Sequence, residues 1–164
     1  MILDYQQPAT SAECVWHYPR PPIVVPSAAK VRVMHRGVVV AQSNEVLRVL
    51  ETSQPPTYYI PRDDIRQDLI VPSRSASLCE WKGIGTYWSL RIDGHVELDV
   101  AWGYPHPMPD YRQIAGYLAF YAQKVDECWV DDEQVEPNQG SFYGGWVTST
   151  IEGPFKGAPG TDRW

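Results

Sequence analysis

Residues 75–102 read SASLCEWKGIGTYWSLRIDGHVELDVAW, and the fold class follows from how this stretch divides. Three runs rich in β-branched and aromatic residues stand in it: Ser77–Gly83, Thr86–Ile92 and His95–Trp102. Such side chains fit a pleated, half-buried surface. Lys82-Gly83-Ile84-Gly85 breaks the first run from the second, and Asp93-Gly94 breaks the second from the third. Asp-Gly between alternating runs is a strong hairpin signal, because both residues tolerate the left-handed conformations that a tight turn needs. In the last run His95, Glu97 and Asp99 alternate with Val96, Leu98 and Val100, which predicts one wet face. The stretch reads as an antiparallel meander.

The same logic extends outward. KVRVMHRGVVVAQS, residues 30–43, alternates Val31, Val33 and His35 with Arg32 and Met34, and turns at Arg36-Gly37; it reads as another hairpin. In SNEVLRVLET, residues 43–52, Val46, Leu47, Val49 and Leu50 fit a short helix and a strand equally. PPTYYIPRDDI is extended by its prolines, and one helical turn is expected near Asp63 and Asp64. YRQIAGYLAFYAQKV, residues 111–125, is again ambiguous between helix and strand. DECWVDDEQVEP reads as strand, turn and short return, and the tail as one strand from Trp146 to Ile151 followed by a Gly/Pro loop. No internal repeat is visible.

The chain has 164 residues, enough for one domain that buries roughly 70% of its unfolded surface. Seven Trp and ten Tyr, with 15 Pro and 12 Gly, suit many short strands joined by turns. The organisation expected is an extended Pro-rich arm over residues 1–29, with Trp16 and Tyr18 docked on the body, a core domain over 30–133 and a C-terminal extension over 134–164 packed on it. The net charge of −6 argues against a nucleic-acid or anionic-membrane surface, which needs a basic field. Arg20, Lys30, Arg32 and Arg36 leave room only for a local basic patch. The first residues lack the pattern of a signal peptide, and no run reaches the ~20 apolar residues of a membrane span. Cys14, Cys79 and Cys128 are odd in number and without paired spacing. A reducing cytoplasm is the expected location.

Several chemistries find no support in spacing. His17, His35, His95 and His106 lie far apart, so no metal and no cofactor are expected. GPFKGAPGT, residues 153–161, has the residues of a phosphate loop in the wrong order, with no helix to follow. There is no G-x-S-x-G elbow. Glu97 and Asp99 have the spacing of a paired-acid metal clamp, but on a strand that spacing is first of all a solvent face. Cys79 reads as a small buried hydrophobe, whereas Lys82, next to Gly83, can present a cation at a strand end. Trp81, Tyr87, Trp88, Trp102 and Tyr104 fall on or beside neighbouring strands; some of them fill the core, where any single ring more often belongs, and rings beyond that need can line a groove.

Block by block, residues 31–52, PPTYYIPRDDI, CEWKGIGTYWSL, AWGYPHPMP, IAGYLAFY and CWVDDE resemble the family called domain of unknown function 427, over about Lys30 to Glu133. The resemblance implies a mainly β fold, a tent-like pair of antiparallel sheets with one or two short helices. Similar tents occur in methionine sulfoxide reductase B and in the thalidomide-binding domain of cereblon. Their zinc is held by two cysteine pairs that this sequence lacks, so the metal does not carry over, nor do their catalytic cysteine and aromatic cage. The family is also labelled nucleotidyltransferase-like, for which only Glu97 and Asp99 speak here. The site expected from all this is a small-molecule pocket between the sheets. Tyr59, Trp81, Tyr87, Trp102 and Tyr104 form its walls beside Cys79, Lys82 and Arg62 are its cations, and Asp64 and Glu80 its acids. The alternatives are a non-catalytic protein-interaction module and an enzyme acting on nucleotides. The partner expected is an unidentified small molecule, with self-association into a homo-oligomer left open.

Overall fold

A computed structural model describes residues 12–164; the first eleven residues of the expected arm lie outside the described residues. In chain order the strands are β1 (Glu13–Cys14), β2 (Ile23–Ser27), β3 (Val31–His35), β4 (Val38–Ser43), β5 (Val46–Leu50), β6 (Thr57–Tyr59), β7 (Ile70–Cys79) and β8 (Gly83–Ile92). They continue as β9 (His95–Gly103), β10 (Leu118–Phe120), β11 (Glu127–Val130), β12 (Glu133–Gln134), β13 (Glu136–Pro137), β14 (Trp146–Val147) and β15 (Ile151–Glu152). Helical structure among the described residues is confined to 3-10 turns at Val15–His17, Arg62–Asp64 and Pro109–Ile114. The protein is mainly β, built from several antiparallel sheets.

Both turn signals hold. Asp93 and Gly94 have φ of 48° and 79°, and Arg36 and Gly37 have 49° and 76°, the left-handed pair that matches strand twist in a two-residue hairpin. The meander becomes a sheet ordered β10-β9-β8-β7. The second hairpin recruits β11 and β12 into the order β12-β11-β3-β4. Val31, Val33 and His35 are its buried face. A third sheet, β2-β5-β6, joins the first through a bridge between Ile60 and Leu118.

The ambiguous segments resolve as strands for a tertiary reason. Val46–Leu50 is paired on both sides, by β2 and by β6, so its backbone groups are satisfied in a sheet. Leu118–Phe120 pairs with Ala101–Gly103. Pro26 is tolerated in β2 because β2 is an edge. Two expectations change. The tail strand breaks at Thr148–Thr150 into β14 and β15, which join different partners, β13 and β1. The arm's Tyr18 is buried, but Trp16 stays at the surface, 5.2 Å from Trp164 with its indole donating to the Pro154 carbonyl at 2.8 Å.

The main core holds Val31, Val33, Val40, Ile60, Leu90, Phe120 and Trp146 between the sheets. A second cluster is dominated by rings: Tyr59, Trp102, Tyr104, Tyr111 and Tyr121, with Ile114. Cys128 is buried, and the desolvation pushes its thiol up, well above the ordinary cysteine range. The three cysteines form no disulfide. Among the described residues no helix is long and apolar enough to cross a membrane.

β9 departs from simple alternation. Asp99 has a φ of 52°, and the register with β8 shifts between Trp88 and Leu90, a bulge that bends the strand. Val96 and Leu98 are exposed along with His95 and Glu97. The reason is that β10 reaches only Ala101–Gly103, so among the described residues the first half of β9 is paired on one side alone, by β8.

Candidate functional site

The ring-rich cluster does not close on itself. It borders a cleft of about 270 Å³. One wall comes from the β7–β8 hairpin, where Cys79 pairs with Gly83 across the turn. That turn carries Glu80, Trp81 and Lys82. The Met108 amide donates to the Lys82 carbonyl at 2.9 Å, so the loop after β9 fixes the base of the lysine. Tyr59 enters from the end of β6, Trp102 from β9, Tyr104 just beyond it and Tyr121 just beyond β10.

The rings support one another. Trp102 lies 4.4 Å from Tyr121 and meets Tyr59 edge-on at 6.4 Å, geometries that aromatic quadrupoles favour. The remaining wall is supplied by the C-terminal extension. Gly144 lies flush on the Trp102 ring, so close that a β-carbon there would overlap it. Gln123 clamps this segment by donating from Nε2 to the Asn138 and Tyr143 carbonyls, each at 3.1 Å. Lys156 follows, its ammonium 5.1 Å from the Tyr143 ring centre.

The electrostatics favour neutral phenols. Burial pushes the Tyr59, Tyr104 and Tyr121 phenols above the ordinary tyrosine range, because a phenolate would lose its hydration there. The Tyr87 hydroxyl donates to Ser77 Oγ at 2.9 Å. The Lys82 ammonium sits 5.7 Å from the Tyr104 ring centre, a cation–π contact. Glu51 is engaged by Gln54 Nε2 at 3.0 Å and by Arg20 at 3.9 Å.

These raised phenols make an alkaline prediction with a definite sign. For a group whose folded pKa is raised, the associated stability is complete below the unfolded value of about 10 and is lost as pH climbs from there toward the folded value. Tyr58 is raised by burial too, and burial carries Tyr111 up to about 12. In a phenolate absorbance titration these tyrosines are expected to ionise only together with loss of the folded circular-dichroism signal. Reversible ionisation of all ten tyrosines as one ordinary wave, with the fold intact, would contradict this packing.

Of the residues singled out in the sequence, Tyr59, Cys79, Glu80, Trp81, Lys82, Tyr87, Trp102 and Tyr104 all border the cleft. Arg62 and Asp64 lie elsewhere, carried off by the 3-10 turn that follows the Ile60 bridge. Arg62 stacks on Trp88 at 4.4 Å, donates to Gln67 Oε1 at 2.6 Å and borders a smaller cavity of about 50 Å³. Asp64 accepts from Ser43 Oγ at 2.6 Å. Sequence reasoning missed Glu51, Tyr121, the 142–144 segment and Lys156. Only Tyr121, an aromatic in an apolar run, carried a signal that could have been read.

Glu97 and Asp99 are not a clamp. The bulge separates them: Asp99 Oδ2 accepts from Ser75 Oγ at 2.9 Å, while Glu97 faces His35 at 3.9 Å. No group of three or more His, Cys, Asp or Glu is placed to hold a metal ion among the described residues.

Residues 23–131, which run from β2 through β11, match the sequence profile of a family described as a domain of unknown function, DUF427. The chain belongs to the DUF427 family. No curated protein matches it in a sequence comparison. In this DUF427 protein the matched span contains the hairpin, the Tyr59, Trp102 and Tyr104 walls and Tyr121. The wall formed by residues 142–144 and Lys156 lies beyond that span.

Proposed function

We propose that this domain binds a small molecule in the aromatic cleft. The observation that carries the reading is that eight rings line one cleft: Tyr59, Trp102, Tyr104 and Tyr121 are buried in the second core cluster, and Trp81, Tyr87, Phe142 and Tyr143 stay partly or largely exposed around it. Cores normally pack to the density of organic crystals, so rings left around a cleft are a surface built for something else. The volume lies just below the range of drug-sized pockets, which suits a metabolite of one ring or a short chain. Nothing in the arrangement names a reaction, and binding is the function proposed.

A thermal-shift screen of metabolites, read together with cysteine protection, tests this. A ligand at a hundred times its Kd adds about 2.7 kcal/mol of stability. In a Cys14→Ser variant, Cys79 is the thiol at the cleft and Cys128 is buried. Compounds that raise Tm are expected to slow alkylation of Cys79 by N-ethylmaleimide. Stabilising compounds that leave Cys79 equally reactive, or a broad screen without a stabilising compound, would refute the proposal.

A further inference from the structure

We infer that the ligand of this cleft is an amphiphilic acid: an anionic carboxylate on a ring or short chain that enters the cleft, with an apolar portion that stays outside across the rim. The inference rests on the binding reading above and gives the ligand a chemical class.

The anion follows from charge. Lys82 is half-buried at the cleft, and among the described residues its ammonium has no carboxylate within ion-pair distance and no hydrogen-bond acceptor; its contact is the Tyr104 ring. A cation taken partly out of water without a counter-charge is costly unless something supplies one. Lys156 is less available, since it also donates to the Trp164 carbonyl at 3.4 Å. On the acidic side, Glu51 is already engaged and Glu80 is exposed and hydrated. The neutral Tyr104 phenol, which has no hydrogen-bond acceptor among the described residues, adds a donor, so an acceptor-rich, negatively charged head matches the walls.

The apolar portion follows from size and from the rim. A cavity of about 150 Å³ accommodates a benzene ring, so 270 Å³ has room for one ring and its polar substituent. Anything longer protrudes. Where it would protrude, two cleft-lining side chains lie in water: Leu78 is 80% exposed and Phe142 72%. Half-buried Trp81 lines the same cleft. Apolar side chains on opposite elements, left uncovered around one aromatic cleft, give it a greasy border. A purely polar metabolite would leave that border wet.

The test is a matched set of probes: benzoate, para-butylbenzoate, para-butylbenzamide and para-butylbenzylammonium, measured by tryptophan fluorescence and Tm. The butylbenzoate is expected to bind at least about tenfold more tightly than the amide, and the ammonium probe not at all. The butyl chain should add up to about fourfold per methylene until the rim is covered. Lys82→Met should abolish the preference for acid over amide while keeping the chain effect. Leu78→Ser with Phe142→Ser should abolish the chain effect while keeping the acid preference. Both sets change exposed or half-buried side chains, so the fold is expected to survive, and far-ultraviolet circular dichroism checks it. Equal binding of acid and amide, preference for the cation, or a butyl chain without effect would overturn the inference while leaving a small-molecule site in place. If metabolites from the screen bind and protect Cys79 but none of these acids does, the class assigned here is wrong. If nothing binds at all, the binding reading falls with it.

Discussion

Trp146→Ala is expected to destabilise the domain by about 3–5 kcal/mol, the range for removing a fully buried large aromatic side chain. Trp146 is 1% exposed and sits in the main core. Its indole donates to the Phe120 carbonyl at 2.9 Å, and its ring stacks on Tyr58 at 5.1 Å. Its own amide donates to the Pro56 carbonyl at 2.9 Å. The truncation therefore opens a cavity and orphans a buried acceptor at once. Trp146→Phe keeps most of the ring and loses the indole bond, so a smaller loss of about 1–3 kcal/mol is expected. Urea unfolding measures both. The residue lies fifteen positions beyond the matched family span, which ends at residue 131. A loss below about 1 kcal/mol for the alanine variant would mean that the C-terminal extension only decorates the core.

The second large effect is expected at the other end of the chain. Arg48 Nη2 meets Glu13 Oε1 at 2.6 Å, with both side chains mostly buried, and the guanidinium lies 5.7 Å from the Tyr58 ring centre. Burial opposes the charge on Arg48, but the bond to Glu13 and the field of Tyr58 keep it above its ordinary value. Glu13→Ala strands a buried cation and is expected to cost about 3–5 kcal/mol. Replacing both partners, with Glu13→Leu and Arg48→Met, should recover most of that loss, because two well-packed apolar groups need no compensation. A double-mutant cycle in urea gives the coupling directly. If the double variant is as unstable as the single one, the pair matters for shape and not for charge.

How far the sequence could be read depended on whether a signal was local. Asp93-Gly94 and Arg36-Gly37 announced their hairpins because the turn geometry is decided by the two residues themselves. Val46–Leu50 and Leu118–Phe120 gave no such answer, since their state is decided by strands that arrive from distant parts of the chain. The candidate site shows the same division. Of its eight predicted residues, Cys79, Tyr87 and Trp102 stand on the neighbouring strands β7, β8 and β9, while Glu80, Trp81 and Lys82 share the tight turn between the first two, which holds them close in space as in sequence. Arg62 and Asp64 were placed by proximity in sequence, and a single 3-10 turn took them to other faces. Gly144 and Lys156 reach the cleft through the packing of the tail against Trp102 and Tyr143, which no spacing within the tail encodes.

The open first half of β9 bears on how this molecule behaves among its own copies. Among the described residues this half-strand is paired on one side only and carries two greasy side chains, Val96 and Leu98, a place where neighbouring chains would adhere in a crowded solution. Glu97 on that edge and the bend at Asp99 work against such adhesion, one by repulsion and one by spoiling the straight template. Salt weakens the first defence and leaves the second untouched. At high ionic strength the kink at Asp99 is the defence that this edge keeps.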